Sequence, residues 1–127
     1  MSDKTMTFGD ISDEILAYLK ERDWDKKNSS RSLAASIVIE AGELLEHYQW
    51  SDQPVGDKAA LADEIADIFI YSFEFAMSND IDIAQAIKTK LDKVKKKYPA
   101  QNFKGKPDTK TKKAWLEAKL KHEKKSL

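Results

Sequence analysis

The sequence predicts an all-α fold, and three observations carry that prediction. Only four glycines and three prolines interrupt its 127 residues. Between them, apolar residues recur three and four apart, and no stretch alternates apolar with polar residues as a half-buried strand would.

The first helix is expected from Ser12, with Asp13 and Glu14 in its opening turn, through Ile15, Leu16 and Leu19 to about Asp23. Polar residues Lys26 to Ser30 form a loop. The second helix runs from about Arg31 to Trp50 with Ser30 as its cap and stacks Leu33, Ile37, Leu44 and Tyr48 in one stripe. Asp52, Gln53, Pro54 and Gly56 end it. The third, from about Lys58 to Ser78 with Asp57 as cap, is apolar on nearly every side through Leu61, Ile65, Ile68, Phe69, Ile70, Phe73 and Phe75. Such a helix belongs at the centre of a fold or between subunits. A fourth covers about Ile81 to Tyr98 and stops at Pro99, and a lysine-rich fifth covers about residues 112–124.

The length is that of one ordinary domain, spanning 1–127 with its core at about 11–106. The absence of cysteine excludes a disulfide framework, a thiolate zinc site and a cysteine nucleophile. No apolar run approaches the length of a membrane span and the N-terminus lacks a signal-peptide core, so a cytoplasmic protein without a membrane partner is expected. The net charge of zero conceals segregation. Residues 33–87 hold eleven acids and one base, Lys58, whereas residues 88–127 hold fifteen lysines against Asp92, Asp108, Glu117 and Glu123. A lysine-rich helix is ordinarily a solvated face, and nucleic acid is not expected as a partner.

Within the acidic centre, Glu40 and Glu43 lie one turn apart on the second helix, beside the stripe of Leu33, Ile37 and Leu44. Glu64 and Asp67 repeat the arrangement on the third, next to Leu61 and Ile68. The two pairs are therefore expected to face one another. Four converging carboxylates cannot all stay charged without compensation, because like charges and lost hydration both oppose ionisation. A divalent cation supplies the compensation. An all-oxygen donor set, with no thiolate and no Glu-x-x-His spacing, favours Mg²⁺, with Mn²⁺ as substitute. A solvated helix face is the ordinary explanation of a lone Glu-x-x-Glu, but such faces interleave lysine or arginine. Neither helix does so after Arg31 and Lys58.

The runs Arg22-Asp23-Trp24, Arg31-Ser32-Leu33-Ala34, Ile39-Glu40-Ala41-Gly42-Glu43-Leu44-Leu45-Glu46, Tyr48-Gln49-Trp50 and Glu64-Ile65-Ala66-Asp67-Ile68-Phe69-Ile70-Tyr71 together resemble the MazG-like all-alpha nucleotide pyrophosphohydrolases. The pattern is nearest to the branch containing dCTP pyrophosphatase and extends over roughly residues 11–106. The resemblance implies a four-to-five-helix bundle assembled as a homodimer or homotetramer. It also implies cleavage of (deoxy)nucleoside triphosphates to monophosphate and pyrophosphate, by water attacking the alpha phosphorus. The four acids would bind Mg²⁺, and Glu43 would orient or deprotonate the water. Trp24, Trp50 and Tyr71 map onto the family's base pocket, where flat rings stack on a nucleobase. The segment Lys93 to Pro99, with Asn102, Phe103 and Lys104, is similar to the family's phosphate-facing element. Lys93 and Lys97, one turn apart, are the favoured phosphate ligands there. Some dCTP-preferring relatives carry histidine where this chain has Ile15, and Phe-His where it has Lys27-Asn28. These departures bear on base preference, possibilities running from pyrimidine deoxynucleotides to modified nucleotides in pool sanitation, and leave the acids untouched.

Several residues have plainer readings. Gly42, between two acids, suggests close approach of a neighbouring helix. Glu46 and Asp63 lie off the interface stripe, His47 is read as structural, and Arg31 is a candidate to steady an acid or a phosphate. The rival to an enzyme is a non-catalytic helical interaction module, which would need no metal.

Overall fold

The computed structural model describes residues 5–126. Five α-helices and one short 3₁₀ turn appear in the order α1 (Phe8–Glu21), α2 (Ser30–Glu46), α3 (Lys58–Ser78), α4 (Ile83–Lys97), the turn Ala100–Asn102 and α5 (Asp108–Ser126). There is no strand among the described residues. The described residues fall into two compact units, one up to Ile83 and one from Ala84 onward.

In the first unit, α2 packs along α3 and α1 lies against α3. The start of α1 is set by a reciprocal capping box. The Asp10 N–H donates to Thr7 Oγ1 at 3.1 Å, and the Thr7 N–H donates to Asp10 Oδ2 at 2.9 Å. The expected cap Ser12 consequently lies inside the helix, because Thr7 and Asp10 satisfy two terminal donors at once. Both α1 and α3 end in the same way, by a left-handed aspartate. Asp23 has φ 56°, and the Trp24 N–H returns to the Leu19 carbonyl at 2.9 Å. Asp80 has φ 53°, and the Ile81 N–H returns to the Ala76 carbonyl at 2.9 Å. These closures satisfy carbonyls that the last helical turn leaves without partners.

Ser29, one residue earlier than expected, caps α2 by accepting from the Ser32 N–H at 3.1 Å. That helix stops at Glu46, four residues short of Trp50, because the chain folds back so that the Val55 N–H bonds the His47 carbonyl at 2.8 Å. Asp57 caps α3 through the Ala60 N–H at 2.9 Å, and the helix covers Lys58–Ser78 as the sequence predicts.

The core of this unit is small. Ile15, Leu19 and Phe73 form its centre, with Ile11, Met77 and Ile83 packed around them. Phe8 meets Phe73 edge to face at 5.5 Å. Leu33, 1% exposed, has the largest fully buried side chain. Elsewhere the apolar surface is uncovered: Val38 and Leu45 on α2 are 70% and 69% exposed, and Ile65 and Phe69 on α3 are each 43% exposed.

In the second unit, α4 carries an exposed Lys88 to Asp92 pair at 2.8 Å and ends two residues before Pro99. Tyr98 and Phe103 meet edge to face at 5.9 Å across the 3₁₀ turn. Gly105 adopts φ +73° just before Pro107, and α5 then opens with Asp108 in its first turn. An acid following proline is a strong helix start, which places this helix four residues earlier than lysine content alone suggests. No described helix is long and apolar enough to cross a membrane.

Candidate functional site

The inward stripe of α2 runs through Leu33, Ile37, Glu40 and Leu44, so packing its apolar members on α3 carries the acids into the helix interface. On α3, Glu64 and Asp67 meet them. Oxygen atoms from Glu40, Glu43, Glu64 and Asp67 all lie within 4.8 Å of one another, close enough to hold one metal ion. The sequence therefore anticipates the cluster in full.

The fit to a cation rests on the state of Glu40. Its Oε2 is shielded from solvent and has no hydrogen-bond partner among the described residues. Lost hydration raises its pKa above the ordinary carboxylate value, a hydrogen bond with the Glu43 carboxyl adds to the effect, and the charges of Glu43, Asp67 and Glu64 push in the same direction. A shielded carboxylate oxygen crowded by three further acids has donor chemistry that would fit a cation.

Beside the acids lies a cavity of about 670 Å³ between α1 and α3. Glu14, Ile15 and Tyr18 line it from α1, and Asp67, Ile70 and Tyr71 from α3. Its size is that of a small-molecule site. Asp67 belongs both to the acid cluster and to the cavity wall, so the two adjoin at this residue. The Tyr71 hydroxyl is held above its usual pKa, first by burial and then by the charges of Glu40, Glu74 and Asp67. It therefore keeps its proton at neutral pH and faces the site as a donor.

Trp24 packs edge to face on Tyr18 at 5.9 Å, brought there by the left-handed turn at Asp23, and Arg22 covers the same Tyr18 ring at 4.3 Å. Trp50 is 84% exposed in the loop after α2. Arg31 is exposed in the first turn of α2. Asn28 donates from Nδ2 to Glu74 Oε1 at 2.9 Å, which ties the loop before α2 to a glutamate only 5% exposed. Lys93, Lys97, Asn102 and Lys104 belong to the second unit. Lys93 and Lys104 are exposed, the Lys97 ammonium lies 5.3 Å from the Tyr98 ring centre, and Asn102 closes the 3₁₀ turn with its N–H on the Pro99 carbonyl at 3.0 Å.

Two readings are corrected. A Cβ built on Gly42 would meet nothing within 4 Å, because this glycine lies on the outer side of α2 with Val38 and Leu45, away from α3. His47, read as merely structural, has its Nε2 3.4 Å from Glu64 Oε1 and so touches the acid cluster. Its loop partner Gly56 lies nine residues away in sequence, a separation that helical periodicity does not report. Tyr18 and Glu74 also escaped the sequence reading. Tyr18 was available from its spacing three residues beyond Ile15, whereas the pairing of Glu74 with Asn28 across 46 residues has no local signal.

The MazG-like family model matches residues 35–112, which includes all four acids. The chain belongs to the MazG-like family. It is 32% identical to dCTP pyrophosphatase 1 of Mus musculus over 107 residues, 78% of this chain and 63% of that protein. It is 34% identical to dCTP pyrophosphatase 1 of Bos taurus with the same coverage. Against dCTP pyrophosphatase 1 of Homo sapiens it is 33% identical over 102 residues, 74% of this chain and 60% of the human protein. The chain thus spans under two thirds of the length of these relatives.

Proposed function

We propose that this chain hydrolyses nucleoside triphosphates to monophosphate and pyrophosphate, by water attack at the alpha phosphorus, with Mg²⁺ or in its place Mn²⁺ held by Glu40, Glu43, Glu64 and Asp67. The observation that carries this reading is that the acid cluster and the cavity adjoin at Asp67. The relatives named dCTP pyrophosphatase 1 supply the class of substrate. A cation bound by the four acids offsets phosphate charge and lowers the pKa of water beside it.

The chain's own groups do the rest. Glu43 accepts the proton of the attacking water, and the protonated Tyr71 hydroxyl donates to a substrate oxygen at the junction of cluster and cavity. The Tyr18 and Trp24 rings form an aromatic wall for the base, and Trp50 is free to stack from its loop. Stacking of this kind is worth about 1–3 kcal/mol per base and tolerates any base. Base choice then falls to Ile15 in the cavity wall and to the Asn28 to Glu74 pair. Arg31 stands as an exposed cation for phosphate.

The protein works as a homodimer, with a homotetramer as the alternative assembly. Val38, Leu45, Ile65 and Phe69 leave an apolar surface that one copy does not cover. A non-catalytic interaction module would use such a surface too, but it gives the convergent acid cluster no purpose.

The test is incubation of the purified protein with Mg²⁺ and a panel of ribo- and deoxynucleoside triphosphates, canonical and modified, with separation of all products. Monophosphate and pyrophosphate are expected in equal amounts. Glu43→Gln and Glu64→Gln should each lose most turnover while keeping the helical circular dichroism spectrum. Phosphate and diphosphate as products, or full activity in either variant, would sink the mechanism.

A further inference from the structure

His47 joins three parts of the first unit. It is the C-cap of α2, and its carbonyl accepts from the Val55 N–H at 2.8 Å. Its ring Nδ1 accepts from the Gly56 N–H at 3.1 Å, and its Nε2 lies 3.4 Å from Glu64 Oε1 on α3. The ring and the glutamate are both largely enclosed, with side chains 14% and 21% exposed.

The partners assign the tautomer. A nitrogen that accepts from a backbone N–H holds a lone pair, so Nδ1 is unprotonated and the single ring proton sits on Nε2, directed at Glu64. Gly56 is present for this seat. A Cβ there would lie 2.5 Å from His47 Cε1, 2.8 Å from Nδ1 and 2.9 Å from the Ala60 Cβ, so any larger residue would expel the ring or distort the start of α3. The loop backbone is thus fitted to the imidazole, and the imidazole to the glutamate.

We propose that His47 is a positioning residue for the cation site: seated by Gly56 through Nδ1, it donates from Nε2 to Glu64 and fixes the direction in which that carboxylate presents its other lone pairs. The proposal rests on the reading of the four acids as metal ligands. A neutral donor suits the task, because it orients an acid without adding a positive charge that would compete with the bound cation. Lysine or arginine at this position would neutralise Glu64 directly, and residues 33–87 contain no base except Lys58. Donors behind ligating groups set ligand orientation, and their loss typically costs about 10- to 100-fold in metal affinity.

The experiment uses Mn²⁺ alone, without nucleotide, followed by electron paramagnetic resonance of the free ion across a titration of the full chain. Two substitutions separate the two ring nitrogens. His47→Asn keeps an acceptor near the Nδ1 position for Gly56 but has no donor that reaches Glu64. His47→Gln carries a donor near the Nε2 position but loses the acceptor for Gly56. Mn²⁺ affinity should fall about 10-fold or more in His47→Asn and stay within about threefold of the parent in His47→Gln. Thermal stability should fall in His47→Gln more than in His47→Asn, because only the former unseats the loop.

A histidine serving the loop alone would lose stability in His47→Gln and leave Mn²⁺ affinity the same in both variants, which overturns the proposal. Should His47→Asn fail to fold, Gly56→Ala decides the matter. Its new methyl crowds the ring out of its seat, so Mn²⁺ binding must weaken in it, and unchanged binding in the folded variant overturns the proposal. If the parent chain itself binds no Mn²⁺, the metal reading of the four acids fails first. Normal Mn²⁺ binding by the parent and by His47→Asn sinks only the role given to His47.

Discussion

Replacing Leu33 by alanine tests whether packing of α2 on α3 is what holds the acids together. Leu33 is 1% exposed, so nearly the whole side chain is withdrawn from water. Shortening it removes roughly three methylene equivalents, about 2.4 kcal/mol at about 0.8 kcal/mol each. Incomplete collapse of the vacated space raises the cost to about 3–4 kcal/mol, inside the ~2–5 kcal/mol usual for buried leucine. Against a typical domain stability of about 5–15 kcal/mol this is a large fraction. Urea unfolding at fixed protein concentration, with and without Mn²⁺, reads the effect. Saturation at about 100 times the dissociation constant should add about 2.7 kcal/mol to the parent protein, and the same increment to Leu33→Ala if the four acids still converge in its folded state. A cost below about 1 kcal/mol would refute the assignment of Leu33 as the anchor of α2. A metal increment that vanishes in the variant would show that the acids depend on this contact for their geometry as well as for their stability.

The raised pKa of Glu40 carries a pH signature. The folded protein holds that proton more tightly than the unfolded chain, so stability contributed by the protonated form is lost as pH rises through the folded-state value. Glu40→Gln should therefore melt higher than the metal-free parent at neutral pH, with the difference closing at acid pH or with saturating Mg²⁺; a pH-independent difference in calorimetric midpoints counts against the crowded-acid picture. Trp24→Ala strips the outer face from Tyr18 and should raise KM about 5- to 30-fold, the equivalent of about 1–2 kcal/mol of stacking, with a smaller change in kcat; steady-state kinetics on the preferred triphosphate tests it. Val38→Asp combined with Leu45→Asp places two charges on the uncovered side of α2 and should yield a monomer by light scattering, whereas an unchanged mass would exclude that side from the subunit interface.

Much of this organisation is legible in the sequence because it is local and periodic. Asp57 and the apolar run after it define α3 to the residue, and the acid spacing on α2 and α3 defines the cluster. Errors arise where two local signals compete or where the decisive contact is not local. Ser12 is a sound cap until Thr7 and Asp10 offer a reciprocal one. Gly42 and Gly56 are indistinguishable as letters, yet one faces open space and the other abuts an imidazole. His47 looks idle because its three connections run to the Val55 and Gly56 N–H groups in the following loop and to the Glu64 carboxylate on α3, none within its own helix. The Asn28 to Glu74 bond joins residues whose proximity depends on the whole first unit having folded.

The loop between α2 and α3 is pinned at its root, with Val55 and Gly56 both fastened to His47, while Trp50 stands at 84% exposure farther out. A pinned root isolates the outer loop mechanically from the acids behind it. Residues 48–54 can then change in length or chemistry, the tryptophan included, without disturbing the geometry of the four acids. The loop tip and the acid cluster are thereby free to vary on separate stretches of chain, a division of labour set by two hydrogen bonds to His47 and one glycine.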